Sequence, residues 1–127
     1  MREHLEVRVK PSGEKGLFAK RLFKKGEVVL KLEGEVTLEP TRYSIQTGES
    51  EHITDKDVGN YINHSCDPTA KVHQEEREVR APREIHPPKD EVTIDYNDTE
   101  ERMAHPFPCD CGSPNCQGFI AGRKRKI

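Results

Sequence analysis

The chain has no tryptophan, three tyrosines and four phenylalanines, and only 31% of its 127 residues are hydrophobic. A domain of this length normally buries roughly two-thirds of the surface its unfolded chain exposes. With a mean hydropathy of −0.92, this one has little apolar area to bury, so a thin core supplemented by something else is expected. No run approaches the ~20 apolar residues of a membrane span, and the N-terminal MREHLEVRVK has no apolar secretory segment. A soluble, intracellular protein is therefore expected. No segment repeats apolar residues at i, i+3, i+4 and i+7 over a useful length, so no long helix is predicted. Basic charge is not in excess: the formal net charge is −2, which argues against non-specific nucleic-acid binding by the body of the protein.

What remains is a series of short extended segments. Leu5-Glu6-Val7-Arg8-Val9 alternates apolar and polar, as a half-buried strand does. Further strands are predicted at Gly16–Ala19, Val28–Leu32 and Val36–Leu38, with short extended pieces at Tyr43–Gln46 and His52–Thr54. Lys71–Gln74 and Arg77–Ala81 flank a tight Glu75-Glu76 turn, and Val92–Tyr96 reads as the last strand. Thr99–Ala104 has room for one or two helical turns. The fold class is mostly β, with many short strands, few short helices and a cysteine-bearing tail. Gly122-Arg123-Lys124-Arg125-Lys126 reads as a basic, disordered tail with the charge to meet nucleic acid or acidic partners.

The four cysteines suggest what supplements the core. Cys109, Cys111 and Cys116 lie within eight residues, with Gly112 and Pro114 to let the loop close. Thiolates this close suit a soft, tetrahedral ion such as zinc, which structural sites hold with four ligands. Cys66 is the remaining thiol, and His64 and His105 are the other candidates for the fourth position. A disulfide-bonded or reactive set is the competing reading, disfavoured in an intracellular chain. Metal binding free energy would here act as folding free energy.

Cys66 sits in the densest polar stretch of the chain, Asn63-His64-Ser65-Cys66-Asp67-Pro68. With Gly16-Leu17-Phe18-Ala19, Lys25-Gly26-Glu27-Val28, Gly34-Glu35-Val36, Arg80-Ala81, Glu91–Tyr96 and the CxCGxxxCxG of the tail, it occurs in an order that resembles the SET-domain protein lysine methyltransferases. The likeness is to a compact, stand-alone form with a zinc-binding post-SET tail. It implies several small sheets around a pseudoknot-like core, a SET domain over residues 1–100 and a post-SET segment over 101–127. It also implies S-adenosylmethionine as methyl donor, with Lys15, Gly16 and Phe18 near its methionine moiety. Asn63 and His64 would contact the cofactor, His64 through backbone at the adenine, and Ile120 would pack on the adenine. Tyr96 matches the catalytic tyrosine, and Tyr43 falls about where a second active-site tyrosine stands. One structural zinc held by Cys66, Cys109, Cys111 and Cys116 is what the resemblance implies as well.

Histones are the best-known substrates of that family; other DNA-binding proteins and ribosomal proteins are further possible partners. Localisation would be cytoplasmic in a microbe and nuclear in a eukaryote or on host chromatin. The sequence departs from the pattern at Glu14 (usually glycine), Thr69 (commonly Asn), Lys89 (usually glycine) and Ile94 (usually an aromatic that tunes how many methyl groups are added). A non-catalytic, zinc-stabilised SET-like binding module is the alternative function, and Glu14 is the feature that speaks for it.

Overall fold

The computed structural model describes residues 2–123; Lys124, Arg125 and Lys126 of the expected basic tail lie outside them. Among the described residues, twelve short strands form four small sheets. In the largest, β1 (Leu5–Val9) and β2 (Lys15–Ala19) form an antiparallel pair, and β10 (Glu91–Ile94) lies antiparallel against β2. The two-residue strand β7 (Asn63–His64) completes it, parallel to β10 with Thr93 opposite Asn63 and Ile94 opposite His64. A second sheet orders β3 (Val28–Lys31), β9 (Glu78–Arg80) and β8 (Lys71–His73). A third orders β4 (Glu35–Thr37), β6 (Glu51–Thr54) and β5 (Ile45–Gly48). In the tail, β11 (Phe107–Pro108) pairs with β12 (Phe119–Ile120).

The architecture is the mostly-β one expected, with two differences in placement. The last strand before the tail ends at Ile94, not Tyr96, and the helical turn lies at α1 (Tyr96–Thr99), ahead of the predicted Thr99–Ala104. The reason is local. Asp95 caps the helix by accepting a hydrogen bond from Asn97 N at 2.9 Å, and this N-cap starts the helix at the next residue. Strand β7 was not predicted, because two residues in a polar motif carry no alternation to read.

The core is thin but continuous. Leu17, Phe23, Val29, Leu30, Val79, Ala81, Ile85 and Val92 have no exposed surface, and they tie the first two sheets together. Departures from the family pattern are accommodated. Thr69 stitches its loop to β10, donating from Oγ1 to Glu91 O at 2.7 Å and accepting from Thr93 N at 3.0 Å. Glu14 sits in ordinary backbone: the one non-glycine with left-handed φ among the described residues is Arg77, and the turn before β2 places its positive φ on Gly13.

A carboxylate hub positions the chain entering the central motif. Asp55, 2% exposed, accepts from both terminal nitrogens of Arg2 at 2.9 and 2.6 Å. It also accepts from the backbone N–H groups of Glu33, Asp57 and Val58. Its backbone carbonyl takes Asn60 N, fixing the 3-10 turn Gly59–Tyr61 that leads into β7. A Cβ at residue 59 would stand 2.6 Å from the Asp55 Cβ, so the turn closes only on glycine. Burial alone would raise the Asp55 pKa, but Arg2 and the surrounding N–H groups outweigh it and hold the carboxyl below its ordinary value. A folded-state pKa below the unfolded one stabilises above the unfolded value, and the contribution fades as pH falls through and below the ordinary carboxylate range. Asp55→Ala is expected to cost about 2–4 kcal/mol. Urea titration checks it, with the wild-type advantage shrinking below about pH 4.

Candidate active site and cysteine cluster

Asn63 and His64 face a cleft of about 900 Å³ whose far wall is the tail segment 105–111. Gly16 lets the wall form. A Cβ there would lie 2.6 Å from Glu91 Oε2, and that carboxylate accepts from Asn63 Nδ2 at 2.8 Å and pairs with Lys10 Nζ at 3.1 Å. Asn63 Nδ2 also donates to Lys15 O at 2.8 Å, so its side chain bridges β2 and β10 at the rim of the cleft.

A second, narrower cavity of about 30 Å³ opens beside the cleft, between the 41–45 loop, the 3-10 turn and residues 103–105. Tyr96, Tyr43 and Asn60 line both cavities, so the two meet there. Tyr96 is firmly held: its hydroxyl donates to Ile62 O at 2.6 Å, and its backbone N–H donates to His64 Nδ1 at 3.0 Å. Rings of His64 and Phe107 flank it at 5.3 and 6.0 Å between centroids. Burial, with the negative charges of Glu100, Glu91 and Glu14 behind it, pushes the phenol pKa well up, so the hydroxyl keeps its proton at neutral pH. Tyr43 is 55% exposed at the mouth.

The four cysteine sulfurs lie within 4.8 Å of one another, and Cys66 to Cys109 is 3.9 Å. Tetrahedral zinc at ~2.3 Å from each sulfur needs sulfurs about 3.8 Å apart, so the set fits that ion. Neither His64 nor His105 belongs to the group. His64 serves beside it: Nδ1 accepts from Tyr96 N, so Nε2 carries the proton and donates to Cys66 Sγ at 3.2 Å. Burial lowers the His64 pKa, in keeping with that neutral tautomer. Gln117 adds N–H donors to the same sulfur at 3.3 and 3.5 Å, and its Nε2 also reaches the Asp95 carboxylate that caps α1. The sulfur, the imidazole, the cap and Tyr96 thus form one closed hydrogen-bonded ring.

Other predicted site residues lie further from the cavities. Lys15 is exposed with its ammonium 5.9 Å over the Tyr61 ring, and Phe18 lies beneath the Arg8 guanidinium at 4.6 Å. Ile120 is fully buried in the tail hairpin opposite Phe107, and it is Phe107 that reaches the cleft. Ile94 is 1% exposed in the core and lines a separate cavity of about 220 Å³. Sequence reading passed over Asn60, Glu91, Phe107 and Gln117. Only Glu91, inside the Glu91–Tyr96 match, carried a signal there.

The SET domain family model matches residues 14–97, about two-thirds of the chain, and this protein belongs to that family. It is 43% identical over 84 residues to the methyltransferase flvH of Aspergillus flavus, an alignment covering 65% of this chain and 47% of that protein. It is 36% identical over 93 residues to the H3 lysine-36 specific histone-lysine N-methyltransferase of Aspergillus oryzae, covering 63% of this chain and 9% of that one. The chain thus spans under half the length of these relatives. Among solved structures, the methyltransferase domain of human SETMAR superposes with a TM-score of 0.69 at 21% identity, over 94% of this chain and 58% of that one. KRYPTONITE, solved with DNA, an H3(1-15) peptide and SAH, superposes at 0.67 and 23% identity, over 91% of this chain and 29% of that one. Both support the mostly-β SET fold.

Cys66→Ser removes one of the four sulfurs and the acceptor shared by His64 and Gln117. Zinc content measured by atomic absorption is expected to fall from one per chain towards zero. Calorimetric affinity for S-adenosylmethionine should drop at least tenfold with it. Retention of both would separate the tail from the cleft.

Proposed function

We propose that the protein is an S-adenosylmethionine-dependent protein-lysine N-methyltransferase. The observation that carries this reading is the position of Tyr96, whose side chain lines both the broad cleft and the narrow cavity. The cleft takes the cofactor and the narrow cavity takes the lysine side chain. Asn63, His64 and Tyr96 hold the cofactor from the cleft wall. Lys15, Gly16 and Phe18 act from β2, where Lys15 O and Gly16 set the position of Asn63 and Glu91. Ile120 supports the tail wall from beneath. Cys66, Cys109, Cys111 and Cys116 hold one structural zinc. Residues 1–100 form the SET domain and 101–127 the post-SET segment, of which residues 105–111 wall the cleft.

When bound, the cofactor supplies a methyl group on a sulfonium, an electrophile with an excellent leaving group. The protein's part is orientation and exclusion of water. Tyr96 keeps its hydroxyl fixed through Ile62 O and its backbone fixed through His64, which preorganises the dipole facing the reacting atoms. Tyr43, at the mouth, guides the incoming side chain. The narrow cavity desolvates the lysine, and desolvation favours the neutral, nucleophilic amine.

The substrate proposed is a lysine of a histone or another DNA-associated or ribosomal protein, in the nucleus if the source is eukaryotic and in the cytoplasm if it is microbial. Support comes from the relatives whose names record histone-lysine methylation, and from the H3 peptide in the KRYPTONITE structure. No helix among the described residues is long and apolar enough to cross a membrane. Transfer of a radiolabelled methyl group onto a panel of histones and a cell lysate, mapped by mass spectrometry, tests the reading. Tyr96→Phe is expected to lower kcat by about 10²-fold with cofactor affinity within about twofold of wild type, because only the hydroxyl is removed. A zinc-replete protein that binds no S-adenosylmethionine would sink the proposal.

A further inference from the structure

Glu100 follows α1 and has 5% of its surface exposed. It is the one acidic residue lining the narrow cavity among the described residues. Its Oε2 accepts from Gln46 N at 2.8 Å and from Thr99 Oγ1 at 2.7 Å. Both hydrogen bonds fall on one oxygen. Among the described residues no cation forms an ion pair with the carboxylate; the Arg123 charge acts on it, and the Arg123 backbone N–H donates to Glu100 O. The groups around it are Tyr96 at the start of α1, Thr99 at its end, Gln46 on β5, Arg123 in the tail, and Arg42 and His105 in the lining of the same cavity. Glu100 and Tyr96 line the same narrow cavity, and Tyr96 also lines the cleft.

A buried carboxylate whose hydrogen bonds from Gln46 N and Thr99 both fall on Oε2, in the wall of a narrow cavity beside the cleft, is matched to a cation that enters from outside. We propose that Glu100 is the proton acceptor for the substrate lysine, and that its charge selects a lysine side chain over an uncharged one. This rests on the methyltransferase reading and adds to it a catalytic group. The step is a simple proton transfer. The Nζ–H bond of the ammonium breaks, its electron pair stays on Nζ as the lone pair that later attacks the methyl group, and the proton bonds to Oε1 of Glu100. An ion pair becomes a neutral carboxylic acid and a neutral amine. In a dry cavity the neutral pair gains on the ion pair, because both charges have lost their hydration. Burial already lifts the Glu100 pKa above the ordinary carboxylate value against the pull of Gln46 N–H, Thr99 and Arg123, so the carboxylate is a better base than an exposed one.

The test compares Nα-acetyl-lysine methylamide with its norleucine counterpart, an uncharged side chain of similar length, by NMR titration against zinc-replete full-length protein. The wild type is expected to bind the lysine probe about tenfold more tightly. Glu100→Gln, which keeps an acceptor for Gln46 N, is expected to reduce that preference to about twofold or less. It should also lower kcat of methyl transfer by about 10²-fold, with S-adenosylmethionine affinity unchanged. A preference that survives in Glu100→Gln, or turnover that survives its loss, overturns the proposal.

If the variant does not fold, the wild type with ¹³C-labelled glutamate decides. One buried carboxyl signal should shift towards its protonated position when lysine probe and cofactor are both added, and a signal that does not move overturns the assignment. A wild type that prefers the lysine probe but transfers no methyl group would instead refute the methyltransferase reading, so the two failures are distinct.

Discussion

The sulfur of Cys66 receives N–H donors from two distant parts of the chain: His64 Nε2 beside it, and both N and Nε2 of Gln117 in the tail. Through His64 it is linked to the backbone of Tyr96, and through Gln117 to the Asp95 cap of the helix that Tyr96 begins. A thiolate accepts several N–H groups most strongly when a cation shares its charge, so zinc on the four sulfurs would tighten the whole ring. Tyrosine geometry and tail closure are thereby one unit, which zinc on the four sulfurs would join. Such a unit supplements a thin core, alongside the buried Ile120 and the Phe107 ring packed against His64 and Tyr96.

The two cavities depend on that unit in different ways. The cleft is bounded by β7, β10 and the tail, so it exists only while the tail is docked. The narrow cavity is bounded by the 41–45 loop, the 3-10 turn set by Asp55 and the chain after α1, and it leans on hydrogen bonds to buried carboxylates. Asp55 and Glu100 each organise backbone N–H groups from elsewhere in the chain, yet their electrostatic settings differ. Asp55 is paired with Arg2 and its pKa is held below the ordinary carboxylate value, while Glu100 forms no ion pair among the described residues and burial lifts its pKa. A carboxylate paired with a cation is a structural clamp; one without a cation, in a cavity that Tyr96 also lines, is available for chemistry.

Much of this was legible in the order of residues. Alternation marked β1, and turn residues marked the breaks between most other strands, because half-buried strands must alternate and chain reversals need glycine, proline or short polar residues. Cysteine spacing pointed to a metal, since three thiols within eight residues cannot be far apart in any fold. The tyrosine was found from its motif, yet its element was misplaced by the Asp95 cap, a single hydrogen bond that stops one period and starts another. Phe107 and Gln117 were invisible for a different reason: each acts by reaching a partner more than 20 residues away, and nothing in their neighbours records it.

The sequence by itself therefore determined the mostly-β character, the family and the identity of the groups available for chemistry, since these follow from local pattern and residue type. Which groups face which was decided by tertiary structure alone. The parallel pairing of β7 with β10 brings His64 under Tyr96, and the return of the tail brings Cys109, Cys111 and Cys116 to Cys66. The chain after α1 turns Glu100 into the narrow cavity. Each of these is a long-range contact whose loop-closure entropy is repaid only when several form together, and no single stretch of sequence carries that cooperative sum.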